Sequence, residues 1–233
     1  MFQGKRGRID FFNAKNKDIY DALIRTETQI PIGFEKWCLD YPINFESIAS
    51  IFCLAKSCTV DIFTQCFQYK ILCQTLPTQE YLFRYRVPDV INNHCIMCNF
   101  ERCTIEHCLI DCEKIQAFLD LARNWLVREI EGGFHLNREH MIFGIYNNLV
   151  RNKGLNHFLL ELKKFLFYTV RGDWESPADL LFSRFLSKIK FLIIKEKYIS
   201  KLRGKYEAFT EKWEQFTPIY DFRGPDNLNV FFP

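Results

Sequence analysis

Apolar residues recur along most of this chain at spacings of three and four, the period of an amphipathic helix. The best-marked stretch is Ile115, Phe118, Leu119, Ala122, Trp125, Leu126 and Ile130, which follows i, i+3, i+4, i+7 and ends at Gly132-Gly133. The same period predicts a helix over 15–25, with Ile19, Ala22 and Leu23 on one face, broken by 26–31. It predicts another over 45–54, with Phe45, Ile48, Ala49 and Phe52 at core spacing. A third runs over 61–76, with Ile62, Cys66, Tyr69 and Cys73 as its recurring stripe and Pro77 as its stop. Glu80–Arg86 reads as a short helix or extended piece, and Val87-Pro88-Asp89 as a turn. Further on come a candidate helix over 137–150 interrupted at Gly144, an apolar helix over 155–169, and a long helix from Pro177 to about Tyr206. Ser176 is placed as the N-cap of the last, with Pro177 at its first position. Its apolar stripe is Phe182, Phe185, Leu186, Ile189, Leu192 and Ile193, and the tail after Thr217-Pro218 is turn-rich.

Between the two halves lies a cysteine-rich segment with different logic. Cys95-x2-Cys98-x8-His107-x4-Cys112 sets three thiols and one imidazole within eighteen residues. A structural Zn²⁺ takes four such ligands in a tetrahedron, as a tight pair and a second pair. Five residues on a regular α-helix rotate a side chain about 140° away. His107 is therefore expected on a short helix over 104–110, with the backbone loosening before Cys112 opens the next helix. His94, Cys103 and Cys108 are spare candidates in the same window, and a ligand set that includes Cys103 or Cys108 stays open. The expected fold is mainly α: a helical domain with a small CCHC zinc-knuckle insertion. Its expected parts are an N-terminal helical region (1–88), the zinc-binding segment with its following helix (89–131), and a C-terminal helical region with a basic helix (132–233).

Composition narrows the class only a little. Hydrophobic content of 48% with 25% charged residues is globular rather than disordered. No secretory signal is read at Met1–Arg8 and no uncharged run is long enough to span a bilayer, so an intracellular chain without membrane contact is expected. Thiols stay reduced in that setting, which favours metal over disulfides for the cluster. Cys38, Cys53, Cys58, Cys66 and Cys73 are expected to be small buried hydrophobes. The formal net charge is +3, but the basic residues concentrate late. Arg184, Lys188, Lys190, Lys195, Lys197, Lys201, Arg203 and Lys205 face a single acid in that span, Glu196. Such a helix is a candidate contact for nucleic-acid phosphates, with Tyr198 and Tyr206 available for stacking, or else a solvated bundle face.

The segment Cys95-Ile-Met-Cys98, Thr104-Ile105-Glu106-His107 and Cys112 resembles the zinc-binding segment in the C-terminal part of non-LTR (LINE-type) retrotransposon reverse transcriptases. That family's pattern is Cys-x2-Cys, then Glu-Thr-x-x-His, then Cys after four residues; Cys103 stands where the family has Glu. Phe67–Leu72, Lys17–Tyr20, Lys36-Trp37, Phe118, Trp125, Ile142–Gly144 and Lys212-Trp213 resemble flanking segments, with high specificity only at Cys95–Cys112. The resemblance implies a module lying after a polymerase, with that upstream domain and RNA or single-stranded or target DNA as partners. The chain contains no Asp-Asp pair, so the polymerase carboxylates are missing. Gly-x-Ser-x-Gly, Gly-rich phosphate-loop and His-Glu-x-x-His patterns are absent too. His135 and His140 read as surface or partly buried histidines, and Asp18/Asp21 and Glu211/Glu214 as solvated pairs. A non-catalytic module is expected, with a zinc-stabilised interaction scaffold as the alternative.

Overall fold

The computed structural model describes residues 2–4, 7–9, 30–99, 102–130 and 133–219. The expected helix over 15–25, the Asp18/Asp21 pair and the tail beyond 219 lie outside them. The fold is mainly helical. Two short strands, β1 (Phe2–Gly4) and β2 (Gly7–Ile9), pair antiparallel with Phe2 opposite Ile9. Nine α-helices follow among the described residues: α1 Ile32–Asp40, α2 Ile48–Cys58, α3 Ile62–Leu72, α4 Gln79–Arg84, α5 Glu113–Glu129, α6 Arg138–Phe143, α7 Lys153–Phe165, α8 Ala178–Leu202 and α9 Tyr206–Trp213. No helix among the described residues is long and apolar enough to cross a membrane.

The centre of the fold is α7. Its residues are buried nearly all round, including Leu155, Phe158, Leu159, Leu160, Leu162 and Phe165. α2, α3, α8 and α9 pack around it, and α5 packs along α8. Phe158 meets Trp125 of α5 in a stacked pair with centroids 5.4 Å apart, and Phe118 stacks on Phe165 at 5.7 Å. A helix buried on every side must satisfy its polar residues internally. Asn156 does so through both amide atoms, accepting from Ile145 N–H at 2.7 Å and donating to Ile145 C=O at 2.9 Å. Glu161 accepts from Thr64 Oγ1 (3.0 Å) and pairs with Lys164 (3.3 Å) and Lys188 (3.0 Å). Lys163 Nζ donates to Gln68 Oε1 at 2.5 Å, and Gln68 donates to Ile142 C=O. Lys212 of α9 donates to His157 Nδ1 (2.8 Å), Cys58 C=O (2.7 Å) and Glu196 (2.8 Å). Burial, and then the neighbouring Lys212, hold His157 well below its usual pKa. Its 3.5 Å approach to Glu196 is thus no ion pair, because the ring is neutral and Nδ1 accepts from Lys212.

Two glycines permit the closest approaches of this packing. A Cβ on Gly33 would stand 1.9 Å from Cys73 C=O, and one on Gly154 would stand 2.0 Å from Lys212 C=O. Backbone cannot yield as a flexible side chain does, so Gly33→Ala and Gly154→Ala should each destabilise by about 3 kcal/mol, measured by urea unfolding. A change of under ~0.5 kcal/mol, the scale of an ordinary surface substitution, would show the contact to be adjustable.

Several expectations are corrected. α5 buries Ile115, Phe118, Leu119, Ala122, Trp125 and Leu126 as predicted, with Ile130 buried just beyond it. α2 instead turns Ile51, Leu54, Ala55 and Cys58 inward, leaving Phe45 and Ala49 exposed. α3 ends at Leu72, and its buried face is Thr64, Phe67, Gln68, Ile71 and Leu72. Ile62, Cys66 and Tyr69 face solvent, because polar Thr64 and Gln68 are drawn in to partner Glu161 and Lys163. Cys38, Cys53 and Cys66 are exposed and Cys73 half-buried, so among the five scattered cysteines only Cys58 is a core residue. The 137–150 helix is limited to Arg138–Phe143, ended by Gly144 at φ +78°. Ser176 does not cap α8; its hydroxyl donates to Asp173 at 2.8 Å, and Pro177 takes the cap position. The basic helix stops at Leu202, with Gly204 at φ +63° leading into α9.

Candidate metal centre

The cysteine-rich segment is not an appendage. Met97, Cys103, Ile105, Cys108, Leu109 and Ile110 belong to the same hydrophobic cluster as α5, α7 and α8. Residues from each of the three expected segments share that cluster. Within it, ligand atoms of Cys95, Cys98, His107 and Cys112 all lie within 4.8 Å of one another. Cys98 Sγ is 3.2 Å from His107 Nε2, and Cys95 Sγ is 3.9 Å from Cys112 Sγ. Three sulfurs and one imidazole nitrogen so converged form a candidate metal site. Its donor set is soft, and all four corners of a tetrahedron are supplied by protein.

Each ligand is held by local backbone chemistry. After Cys98 the chain reverses at Asn99, which takes φ +58° and donates its N–H to Cys95 C=O at 2.8 Å. The turn aims the Met97 and Cys98 N–H groups at the Cys95 sulfur, where they favour its thiolate. The larger effect on Cys95 comes from the thiols of Cys103 and Cys112, which donate to it and pull it well below the usual thiol range. Cys112 is pushed the other way, first by its hydrogen bond to Cys95 and then by burial. The arrangement favours one thiolate at first, with the other thiols yielding their protons as a cation enters.

The 107-to-112 spacing is solved by a wide turn. His107–Asp111 is a single π-helical turn, closed by Cys112 N–H to His107 C=O at 2.9 Å. An i→i+5 turn carries residue 112 round closer to residue 107 than an α turn does. Cys112 then takes extended geometry (φ −61°, ψ 124°) as the N-cap residue of α5, where the helix dipole favours a thiolate. The loosening before Cys112 was expected from the spacing; the π turn was not. Thr104 Oγ1 accepts from the His107 N–H at 3.0 Å. Arg138 braces the turn from α6, donating to Asp111 and to Glu106 (3.2 Å), and Glu106 accepts from Tyr41 at 2.7 Å. Neither Arg138 nor Tyr41 was marked in the sequence as part of the site.

The spare thiols are not among the four converging ligand atoms, although Cys103 hydrogen-bonds to Cys95. Cys103 and Cys108 lie 3.2 Å from each other, both buried. His94 is half-buried and uses its N–H on Asn92. A cleft of about 680 Å³ opens onto Cys98 and His107 and is lined by Asp40, Glu106, Asp111 and Glu113 with Arg102.

The predicted nucleic-acid contacts are spread over α8 and the turn after it. Arg184, Lys188, Lys190, Lys195, Lys201, Arg203 and Lys205 are exposed, but Lys197 is buried and so is removed from a phosphate-facing set. Arg184 pairs with Asp173 at 2.8 Å and Lys188 with Glu161 at 3.0 Å. His135 is exposed; His140 is half-buried and closes a capping box with Asn137. Glu211 and Glu214 are exposed as expected. No protein-family model matches the chain, and no curated protein matches it.

Proposed function

We propose that this chain is a non-catalytic, zinc-binding helical module that contacts RNA or DNA, of the kind found after the polymerase in non-LTR retrotransposon reverse transcriptases. The observation that carries the reading is the convergence of Cys95, Cys98, His107 and Cys112 within 4.8 Å. Zn²⁺ is the ion that an S₃N donor set of four protein ligands suits best, and a closed shell leaves no position for substrate. The exposed cations of α8 supply the phosphate contacts, and an upstream polymerase domain is the natural covalent or docking partner. Such a module works inside the cell, without membrane contact.

Elemental mass spectrometry on reduced protein should find one zinc per chain. Nucleic-acid affinity should fall with salt, with a log–log slope of about −2 if three cations of α8 meet single-strand phosphates. Absent zinc, or binding indifferent to salt, would sink the corresponding half of the reading. A second reading, a scaffold without nucleic-acid binding, draws support from Val60, Ile62 and Phe63. These are all strongly exposed around the start of α3, an apolar patch suited to a protein partner. A polymerase-domain pull-down lost on Phe63→Ser, with no oligonucleotide binding, would favour it.

A further inference from the structure

We infer that the solvent face of α8 is a binding stripe for unpaired, single-stranded nucleic acid, with Phe191 and Tyr198 stacking on bases and Lys195 between them on the backbone. The inference rests on the nucleic-acid reading above and specifies its ligand. Arg184, Lys188, Phe191, Lys195, Tyr198 and Leu202 follow one another at steps of four and three along α8. At 3.6 residues per turn they form one line about 27 Å long. The opposite side of the helix carries Phe182, Phe185, Ile189 and Ile193, all buried. The apolar demand of the helix is therefore met on its inner side, and the rings of the outer line do not serve the core. Phe191 is 59% exposed and Tyr198 52% exposed. Single exposed apolar residues are ordinary on protein surfaces. The distinguishing feature here is their regular alternation with cations on one line.

That alternation selects among polyanions. A membrane-surface helix segregates its apolar residues to one face, which sinks below the headgroups, and its cations to the other. On α8 the cations sit on the same line as the rings, so lowering Phe191 and Tyr198 into lipid would take Lys188 and Lys195 with them. A duplex offers phosphates but no free base faces for the rings. An unpaired strand offers both, and aromatic platforms between basic groups are the usual way to hold one. Phe191 and Tyr198 are about 10 Å apart along the axis, with Lys195 between them. Lys188 pairs with Glu161 and Arg184 with Asp173, so a strand shares those two cations with a carboxylate, while Lys195 stands between the two rings.

The test is fluorescence anisotropy on the zinc-loaded full chain with a labelled oligothymidylate of about 20 nucleotides, comparable to the footprint of one or two single-strand modules. The same strand annealed to its complement, poly-glutamate, and phosphatidylserine vesicles are the comparison ligands. The single strand should bind at least about tenfold more tightly than the duplex, and Phe191→Ala with Tyr198→Ala should cost about tenfold or more on the single strand while sparing the duplex. Lys195→Ala should reduce the salt slope by about 0.7. Equal binding of single strand and duplex, untouched by loss of both rings, overturns this inference and leaves the broader nucleic-acid reading standing. Binding of vesicles or poly-glutamate with neither nucleic acid bound overturns both. Both rings are exposed, so circular dichroism should show the doubly substituted protein to be folded.

Discussion

Cys98→Ala protein should purify without stoichiometric zinc and melt roughly 10–20 °C below the wild type, while Cys38→Ala should match the wild type in both respects. Cys98 is the half-buried ligand, so its removal breaks the quartet while leaving little cavity. The remaining three ligands then hold a cation weakly, and the 93–112 segment loses the bond that ties its two ends. Structural zinc contributes on the order of 10–16 kcal/mol to isolated zinc-finger peptides. Here Met97, Ile105 and Leu109 also anchor the segment in the core, so a smaller loss of about 5 kcal/mol is expected, at 2–4 °C per kcal/mol for a chain of this size. Cys38, exposed on α1, controls for simple thiol removal. Calorimetry with zinc analysis on the same samples decides the matter. A Cys98→Ala protein that kept one zinc per chain would remove Cys98 from the ligand set. A metal-free wild type melting at the same temperature would make the site dispensable to the fold.

The second large effect concerns acidity. Lys163 lies fully buried in the last turn of α7, and desolvation lowers its pKa from 10.5 to about 7. Its hydrogen-bond acceptor is the neutral Gln68 carbonyl, while the Cys58 thiol nearby acts weakly in the opposite direction. The native state therefore releases this proton near pH 7, whereas the unfolded chain holds it to about pH 10.5. Between those values the unfolded state binds more protons, so this group makes stability rise with pH. Below pH 7 both states are protonated and the full cost of a buried ammonium is present. Lys163→Met removes the group and leaves the Gln68 carbonyl unpaired, which adds a constant penalty but no pH dependence. The stability of the variant relative to wild type should thus be flat below pH 7 and fall by about 2 kcal/mol between pH 7 and 8.5. Urea titrations of both proteins at pH 6, 7 and 8.5 measure it. A difference independent of pH would mean that Lys163 stays charged in the native state across this range.

These two features differ in how far the chain alone reveals them. The convergence of Cys95, Cys98, His107 and Cys112 was legible because metal geometry restricts residue type and spacing together, and few arrangements satisfy both. α5 was legible because its apolar residues form one stripe, flanked by Asp120, Arg123 and Arg128. α2 was not. Ile48, Ile51, Phe52, Leu54 and Ala55 offer two overlapping stripes, and contact with α7 selects between them. The face of α3 was misread because Thr64 and Gln68 look like surface residues until Glu161 and Lys163 require partners 97 and 95 positions away. One signal was present in the chain: His157, Glu161 and Lys163 interrupt an otherwise apolar run, and charges in a buried helix oblige polar residues elsewhere to turn inward. The exposed thiols of Cys38, Cys53 and Cys66 show that residue type alone does not determine depth.

The π turn over 107–111 also bears on how this chain tolerates changes in length. A loop absorbs the gain or loss of a residue by changing its path, but here the number of residues between His107 and Cys112 is itself the geometry. Deleting one of Cys108, Leu109 or Ile110 would let the turn close as an ordinary α turn, redirecting one ligand and shifting the register of α5 against α8. A second π turn, Leu166–Val170, packs against the first, so a slip in either would misalign its neighbour. Single-residue insertions and deletions should therefore be purged from 107–112 and 166–170, while the turn over 147–152 accepts them. Length, together with side-chain chemistry, sets the geometry of this centre.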